Sequence, residues 1–214
     1  MPQTPRRALI VIDVQNEYVS GNLLIEYPDV RLSLANIARA MDAARDADIA
    51  LVVVQNTAPP AAPIFVKGTP AWDLHPVVAT RAHDHYIEKT LPSAYAGTDL
   101  ADWLRQQRID TLTVAGYMTH NCVDSTVKQA LHSGLAVEVL VDAIGAVSYA
   151  NRAGAASAEQ IHQAHAVVWQ SRFAAVLSTD EWLAALQTDM LPERDSIFKS
   201  NQRARLRLTL GQAG

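Results

Sequence analysis

The run Ala8-Leu-Ile-Val-Ile12 is apolar at every position and is closed by a carboxylate, Asp13. A strand with one solvated face alternates apolar and polar residues, so a run without polar positions belongs at the centre of a parallel sheet, buried on both faces. The same signal returns in Ile49-Ala-Leu-Val-Val-Val54, Thr111-Leu-Thr-Val-Ala115, Ala136-Val-Glu-Val-Leu-Val141 and Ala174-Ala-Val-Leu177. Helical periodicity separates most of these runs. Between Val30 and Ala47, Leu34, Ile37, Ala38, Met41 and Ala44 recur at three- and four-residue intervals, with Arg31, Arg39, Asp42 and Arg45 elsewhere. Further helices are expected from Thr98 to Gln107, from Asn121 to Ser133 before Gly134, from a Ser157/Gln160 capping box to about Ser171, and from Ser178 onward. Strands alternating with helices predict an α/β fold, a three-layer sandwich with a mainly parallel central sheet and right-handed crossovers. Functional sites in such folds lie beyond the carboxyl ends of the strands.

Two segments depart from this rhythm. Asn56 to Pro76 carries Pro59, Pro60, Pro63, Pro70 and Pro76, which preclude long regular structure and predict a covering loop. After Pro192, Ala204-Arg-Leu-Arg-Leu-Thr-Leu210 alternates strictly and reads either as an amphipathic edge strand against another subunit or as a solvated tail. The expected organisation is one domain over 1–191 and a tail over 192–214, an oligomerisation arm. An apolar fraction of 49% in 214 residues suits one globular domain and excludes a disordered chain. The net charge of −4 lacks the basic excess that nucleic-acid binding requires. No apolar stretch approaches the ~20 residues of a membrane span, and the basic pair near the start has no apolar core behind it, so a cytoplasmic protein is expected.

The chain has a single cysteine, Cys122, which excludes an intramolecular disulfide and a multi-thiolate zinc site. The thiol is either an apolar filler or a reagent. It follows the predicted strand Thr111 to Ala115 and a short linker, at the first turn of the next helix, where free amides and the helix dipole favour a thiolate and offer N–H groups to an oxyanion. Asp13 ends an apolar run and needs a partner to offset its desolvation. Its alternative is a structural aspartate receiving loop amides. Lys89 ends the extended run His85-Tyr-Ile-Glu-Lys89 before Pro92, and on its own reads as a surface lysine. His120 is the nearest candidate base for a cysteine–histidine pair, but two residues before the thiol it points to another side of the turn.

Three segments together carry a resemblance: Ala8-Leu-Ile-Val-Ile-Asp13-Val-Gln15-Asn16, Lys89-Thr-Leu-Pro-Ser93-Ala94-Tyr95-Ala-Gly-Thr98-Asp-Leu100, and Gly116-Tyr-Met-Thr119-His-Asn-Cys122-Val123-Asp-Ser125-Thr126. In this order they resemble the isochorismatase-like cysteine hydrolases, which include nicotinamidases, over roughly Arg7 to Leu186. The resemblance implies a triad of Asp13, Lys89 and Cys122, with Asp13 as general base, Cys122 as nucleophile and Lys89 as electrostatic support. It also implies an oxyanion hole from the backbone N–H groups of Met118 and Cys122, and a cis peptide bond between Tyr117 and Met118.

Nicotinamidases of this family carry an Asp-x-His metal pair after the second strand, where this chain reads Asn56-Thr57-Ala58. His83 and His85, with His75 upstream, form the nearest cluster, which reads as solvated histidines; no metal and no cofactor are expected. Isochorismatases that cleave a vinyl ether commonly lack the cysteine. The expected function is therefore cysteine-dependent hydrolysis of a small non-peptide C–N bond, carboxamide, carbamoyl or ureido, through a thioester. A vinyl-ether hydrolase and a non-catalytic family member are the alternatives. Tyr18, Asn56, Trp72, His120 and Tyr149 are expected to wall the pocket around a small-molecule substrate. The resemblance further implies a homo-oligomer, dimer or tetramer.

Overall fold

The computed structural model describes residues 4–188 and 191–211. Eight strands form: β1 (Arg7–Ile12), β2 (Ala50–Asn56), β3 (His85–Lys89), β4 (Thr111–Tyr117), β5 (Ala136–Gly145), β6 (Tyr149–Asn151), β7 (Gly154–Ala156) and β8 (Ala175–Leu177). The α-helices are α1 (Glu17–Ser20), α2 (Val30–Asp46), α3 (Pro76–Ala79), α4 (Leu100–Gln106), α5 (Asp124–His132), α6 (Ala158–Val168), α7 (Thr179–Thr188) and α8 (Ile197–Gly211). Two five-residue π-helical turns, Thr119–Val123 and Trp169–Phe173, lead into α5 and out of α6.

Six strands make one sheet in the order β3-β2-β1-β4-β5-β8, and every pairing is parallel. This is the three-layer α/β sandwich that the apolar runs predict. β1 is central, and all six of its residues are buried. Because side chains alternate across a strand, its residues divide between two cores. Ala8, Ile10 and Ile12 join Leu112, Val114, Val127 and Trp169 on one face, while Leu9 and Val11 join Ile37, Met41, Tyr117 and Trp182 on the other. The chain moves outward from β1 through β2 to β3 and then crosses to β4 on the other side. The strand order therefore reverses at β1, the place where ligand crevices form in such sheets.

The tail departs from expectation. Residues 204–210 do not form an edge strand; they lie within the helix α8. Ala, Arg and Leu are strong helix formers, and a helix satisfies its backbone locally, whereas a strand here would need a sheet edge to pair with. The segment before α8 is tied to the second π turn: Asp195 N donates to Gln170 O at 2.8 Å and Arg194 Nη1 to Arg172 O at 2.9 Å. Among the described residues, no helix is long and apolar enough to cross a membrane.

Candidate active site

Asp13 follows β1, Lys89 ends β3, and Cys122 lies in the π turn after β4. The register aligns Ile12 with Val54 of β2 and Gly116 of β4, and Asn56 with Lys89, so all three residues sit at one end of the sheet. Lys89 is two strands away from β1, yet its stem is long enough to pass over the end of β2. Its Nζ lies 2.7 Å from Asp13 Oδ2, 3.3 Å from Cys122 Sγ and 3.2 Å from Asn56 Oδ1. Asp13, Lys89 and Cys122 are 0%, 2% and 4% exposed, which leaves little water to screen their charges. Besides the Lys89 ion pair, the Asp13 carboxylate interacts with the Cys122 thiol. Asp13 also adopts φ +51°, a left-handed conformation that non-glycine residues rarely take and that concentrates at functional sites.

Electrostatics set the resting protonation. Burial raises the Asp13 pKa above its ordinary 3.8, and Lys89 opposes that rise. Asp13 is thereby a stronger proton acceptor than a solvated aspartate. Burial, then the Asp13 charge, push the Cys122 thiol well above its usual range, with Lys89 again opposing. Burial works against the Lys89 ammonium, but Asp13 and Cys122 outweigh it and raise its pKa. Burial and the Asp13 charge thus favour the protonated sulfur, while Lys89 favours the thiolate. A thiol beside a basic carboxylate and a fixed ammonium can pass its proton to Asp13 as the sulfur attacks an electrophilic carbon.

The surrounding loops are fixed by side chains within the three segments quoted above. Gln15 is fully buried; its Nε2 donates to Asn56 O at 3.0 Å and to Trp72 O at 2.7 Å, while its Oε1 accepts from Asn56 N at 2.9 Å. It therefore fixes the strand end whose side chain accepts from Lys89. Thr126 Oγ1 accepts from Ala94 N at 3.0 Å and donates to Cys122 O at 2.7 Å, docking the loop after β3 onto the thiol turn. The roles of Gln15 and Thr126 are not legible in the sequence, since neither chemistry nor spacing separates a positioning amide or hydroxyl from ordinary polar residues. The Tyr117–Met118 peptide is cis.

A cavity of about 260 Å³ opens on the thiol. Tyr18, Asn56, Met118 and Cys122 are among its lining residues. His120 and Tyr149 do not line it but pack edge to face at 4.7 Å, and burial pushes His120 down to about 4, with both ring nitrogens lacking a partner among the described residues. Trp72 is a correction. Its indole N–H is committed to Thr57 Oγ1 at 2.9 Å and Lys67 Nζ stands over its ring, so it braces the proline-rich loop outside the cavity.

The other histidines are engaged separately. His75 caps α3 by accepting from Val77 N, His85 pairs with Asp99 at 2.9 Å and stacks on Trp103, and His83 is exposed beside Tyr86. Among the described residues no group of three His, Cys, Asp or Glu side chains could hold a metal ion.

Fold and cluster define the class of protein: a parallel-sheet α/β domain that buries a carboxylate, an ammonium and a thiol together at its strand ends. The isochorismatase domain family matches residues 7–181, and the chain belongs to this family of hydrolases. A crystal structure of a candidate isochorismatase from Burkholderia xenovorans LB400 is 64% identical, covering 97% of this chain and 100% of that one with a TM-score of 0.95. Among curated proteins, the nicotinamidase/pyrazinamidase of Mycobacterium tuberculosis is 34% identical, over 66% of this chain and 88% of that protein. A streptothricin hydrolase of Streptomyces noursei is 33% identical over 65% of this chain and 54% of its own length.

Proposed function

We propose that this chain hydrolyses the C–N bond of a small non-peptide amide, carbamoyl or ureido compound through a thioester on Cys122. The observation that carries the reading is the buried Lys89 Nζ, 2.7 Å from Asp13 and 3.3 Å from the Cys122 sulfur. In the reaction Asp13 takes the thiol proton as sulfur bonds to the carbonyl carbon, and the oxyanion is held by the backbone N–H groups of Met118 and Cys122. The proton passes from Asp13 to the leaving nitrogen, the C–N bond breaks, and ammonia or an amine departs. Asp13 then takes a proton from water, which attacks the thioester and releases the acid and the thiol. Lys89 remains protonated and offsets the negative charge that appears first on sulfur and then on oxygen. The names of the nicotinamidase and streptothricin hydrolase relatives support hydrolysis at a C–N bond.

The test is ammonia release from a panel of small amides, carbamoyl amino acids and ureido compounds by the native chain, Cys122→Ala and Asp13→Asn. Loss of release in both variants is the expected outcome. Cleavage of a vinyl ether that survives Cys122→Ala but not Asp13→Asn would replace this reading with acid catalysis by the aspartate. Self-association belongs to the same proposal, because α8 leaves Ile197 59%, Phe198 70% and Leu206 64% exposed. Light scattering should give a smaller assembly for a chain truncated after Leu191, and an unchanged number of subunits would exclude the tail as the arm.

A further inference from the structure

The cavity over Cys122 is walled mainly by apolar and aromatic side chains: Leu23, Ile64, Phe65, Leu91 and Met118, with Tyr18 among them. Its polar lining residues, Asn56, Thr90 and Asn121, are all neutral, and no lysine or arginine lines it. The nearest ammonium, Lys89, is already paired with Asp13 and bonded to Asn56. A second buried carboxyl group stands behind the wall. Glu17, 1% exposed, accepts from Asn22 N at 2.5 Å and from the cavity residue Phe65 N at 3.4 Å, and it forms no salt bridge among the described residues. Glu17 thus offers the cavity no cation, and the carboxylate beside the thiol, Asp13, already holds the one ammonium there. An anionic ligand entering this space would lose its hydration, find no free counterion, and face charge of its own sign.

We propose that the cavity selects an uncharged substrate whose acyl group is compact and largely apolar, and that it rejects molecules carrying a carboxylate. The inference rests on the hydrolase reading for the identity of the reacting group. It narrows that reading from the whole range of amides, carbamoyl amino acids and ureido compounds to neutral carboxamides. The cavity, about 260 Å³, has room for one small ring or a short branched chain. Leu91, 53% exposed, stands at the rim.

A charge-matched pair of alkylating agents tests this without relying on turnover. Iodoacetamide and iodoacetate differ only in a neutral amide against a carboxylate. Each forms an S–C bond to the single thiol as iodide leaves, and the thiol proton passes to Asp13 or solvent. Alkylation of the full chain is followed by intact mass at mildly alkaline pH, and the ratio of the iodoacetamide to the iodoacetate rate constant is divided by the same ratio for free cysteine. The expected result is at least tenfold. Leu91→Arg, which places a cation at the rim, should bring the ratio back toward that of free cysteine. For a neutral amide substrate, kcat/KM should fall at least tenfold when a carboxylate replaces a distal methyl group. A native ratio equal to or below that of free cysteine overturns the proposal, and so does a Leu91→Arg ratio that stays at the native value. Either result leaves cysteine-dependent hydrolysis standing. Failure to release ammonia from any amide overturns the hydrolase reading instead, while the alkylation ratio still reports the selectivity of the cavity.

Discussion

At the scale of the residue, the site depends on a balance that each of its members alters for the others. Asp13 must be ionised to accept the thiol proton, and burial raises its pKa above 3.8. The acid limb of kcat/KM should accordingly lie above the ordinary carboxylate value and disappear in Asp13→Asn, whose residual rate should be lower by about 10²–10⁴-fold. On the alkaline side both Cys122 and Lys89 are held above their usual values, so the rate should stay level through about pH 9. Stopped assays across buffers of constant ionic strength would show both features. Lys89→Met separates charge from bulk. It removes the cation that opposes the rise in the Asp13 pKa, so the acid limb should move to higher pH. It also leaves a buried carboxylate unpaired, at a cost of about 3–5 kcal/mol of stability in urea denaturation. An acid limb unmoved in Lys89→Met would mean that the ammonium does not set the base.

At the scale of the element, the site rests on the carboxyl ends of β1 and β4, where the backbone of Ile12 leaves no room for a side chain on Gly116. Gly116 has φ +105°, and a Cβ placed there would lie 2.1 Å from Ile12 O. Gly116→Ala therefore combines an unfavourable backbone conformation with a clash against backbone that cannot rotate away. It should cost about 3 kcal/mol or more in chemical denaturation, and it should lower activity because Asp13 follows Ile12 directly. The strands themselves were legible: the apolar runs mark β1, β2, β4, β5 and β8, and the motif order brings Asp13, Lys89 and Cys122 to one end. The parts that were not legible depend on tertiary partners. Alternation in 204–210 fits a strand, but no sheet edge receives it, and helix propensity prevails. Trp72 was placed by its loop, yet the direction of its ring depends on Thr57 and Lys67, which nothing in the local pattern reveals. The π turn that seats Cys122 and the cis Tyr27–Pro28 bond leave no periodic signal in the sequence.

At the scale of the molecule, buried polar groups lie at both ends of the sheet. At the end opposite the thiol, Arg7 and Glu138 form a buried ion pair at 2.9 Å, and Glu138 also accepts from Thr113 Oγ1 at 2.7 Å and Trp182 Nε1 at 3.0 Å. This network joins β1, β4, β5 and α7, so Glu138→Leu, which removes the shared acceptor of Arg7, Thr113 and Trp182, should cost about 3–5 kcal/mol with little effect on the site. On the side of the thiol, burial and the neighbouring His165 hold both His120 and His162 down to about 4. The unfolded chain titrates its histidines near 6.5. Above that value both states are neutral at these positions, and their contribution to stability is fully present. As the pH falls from about 6.5 toward 4, the unfolded state takes up protons that the folded state refuses, and that stability is lost. The urea midpoint should therefore fall across this window, and His162→Gln should flatten the fall. A midpoint that falls only below pH 4, where carboxylates protonate, would assign the acid sensitivity to the ion pairs instead.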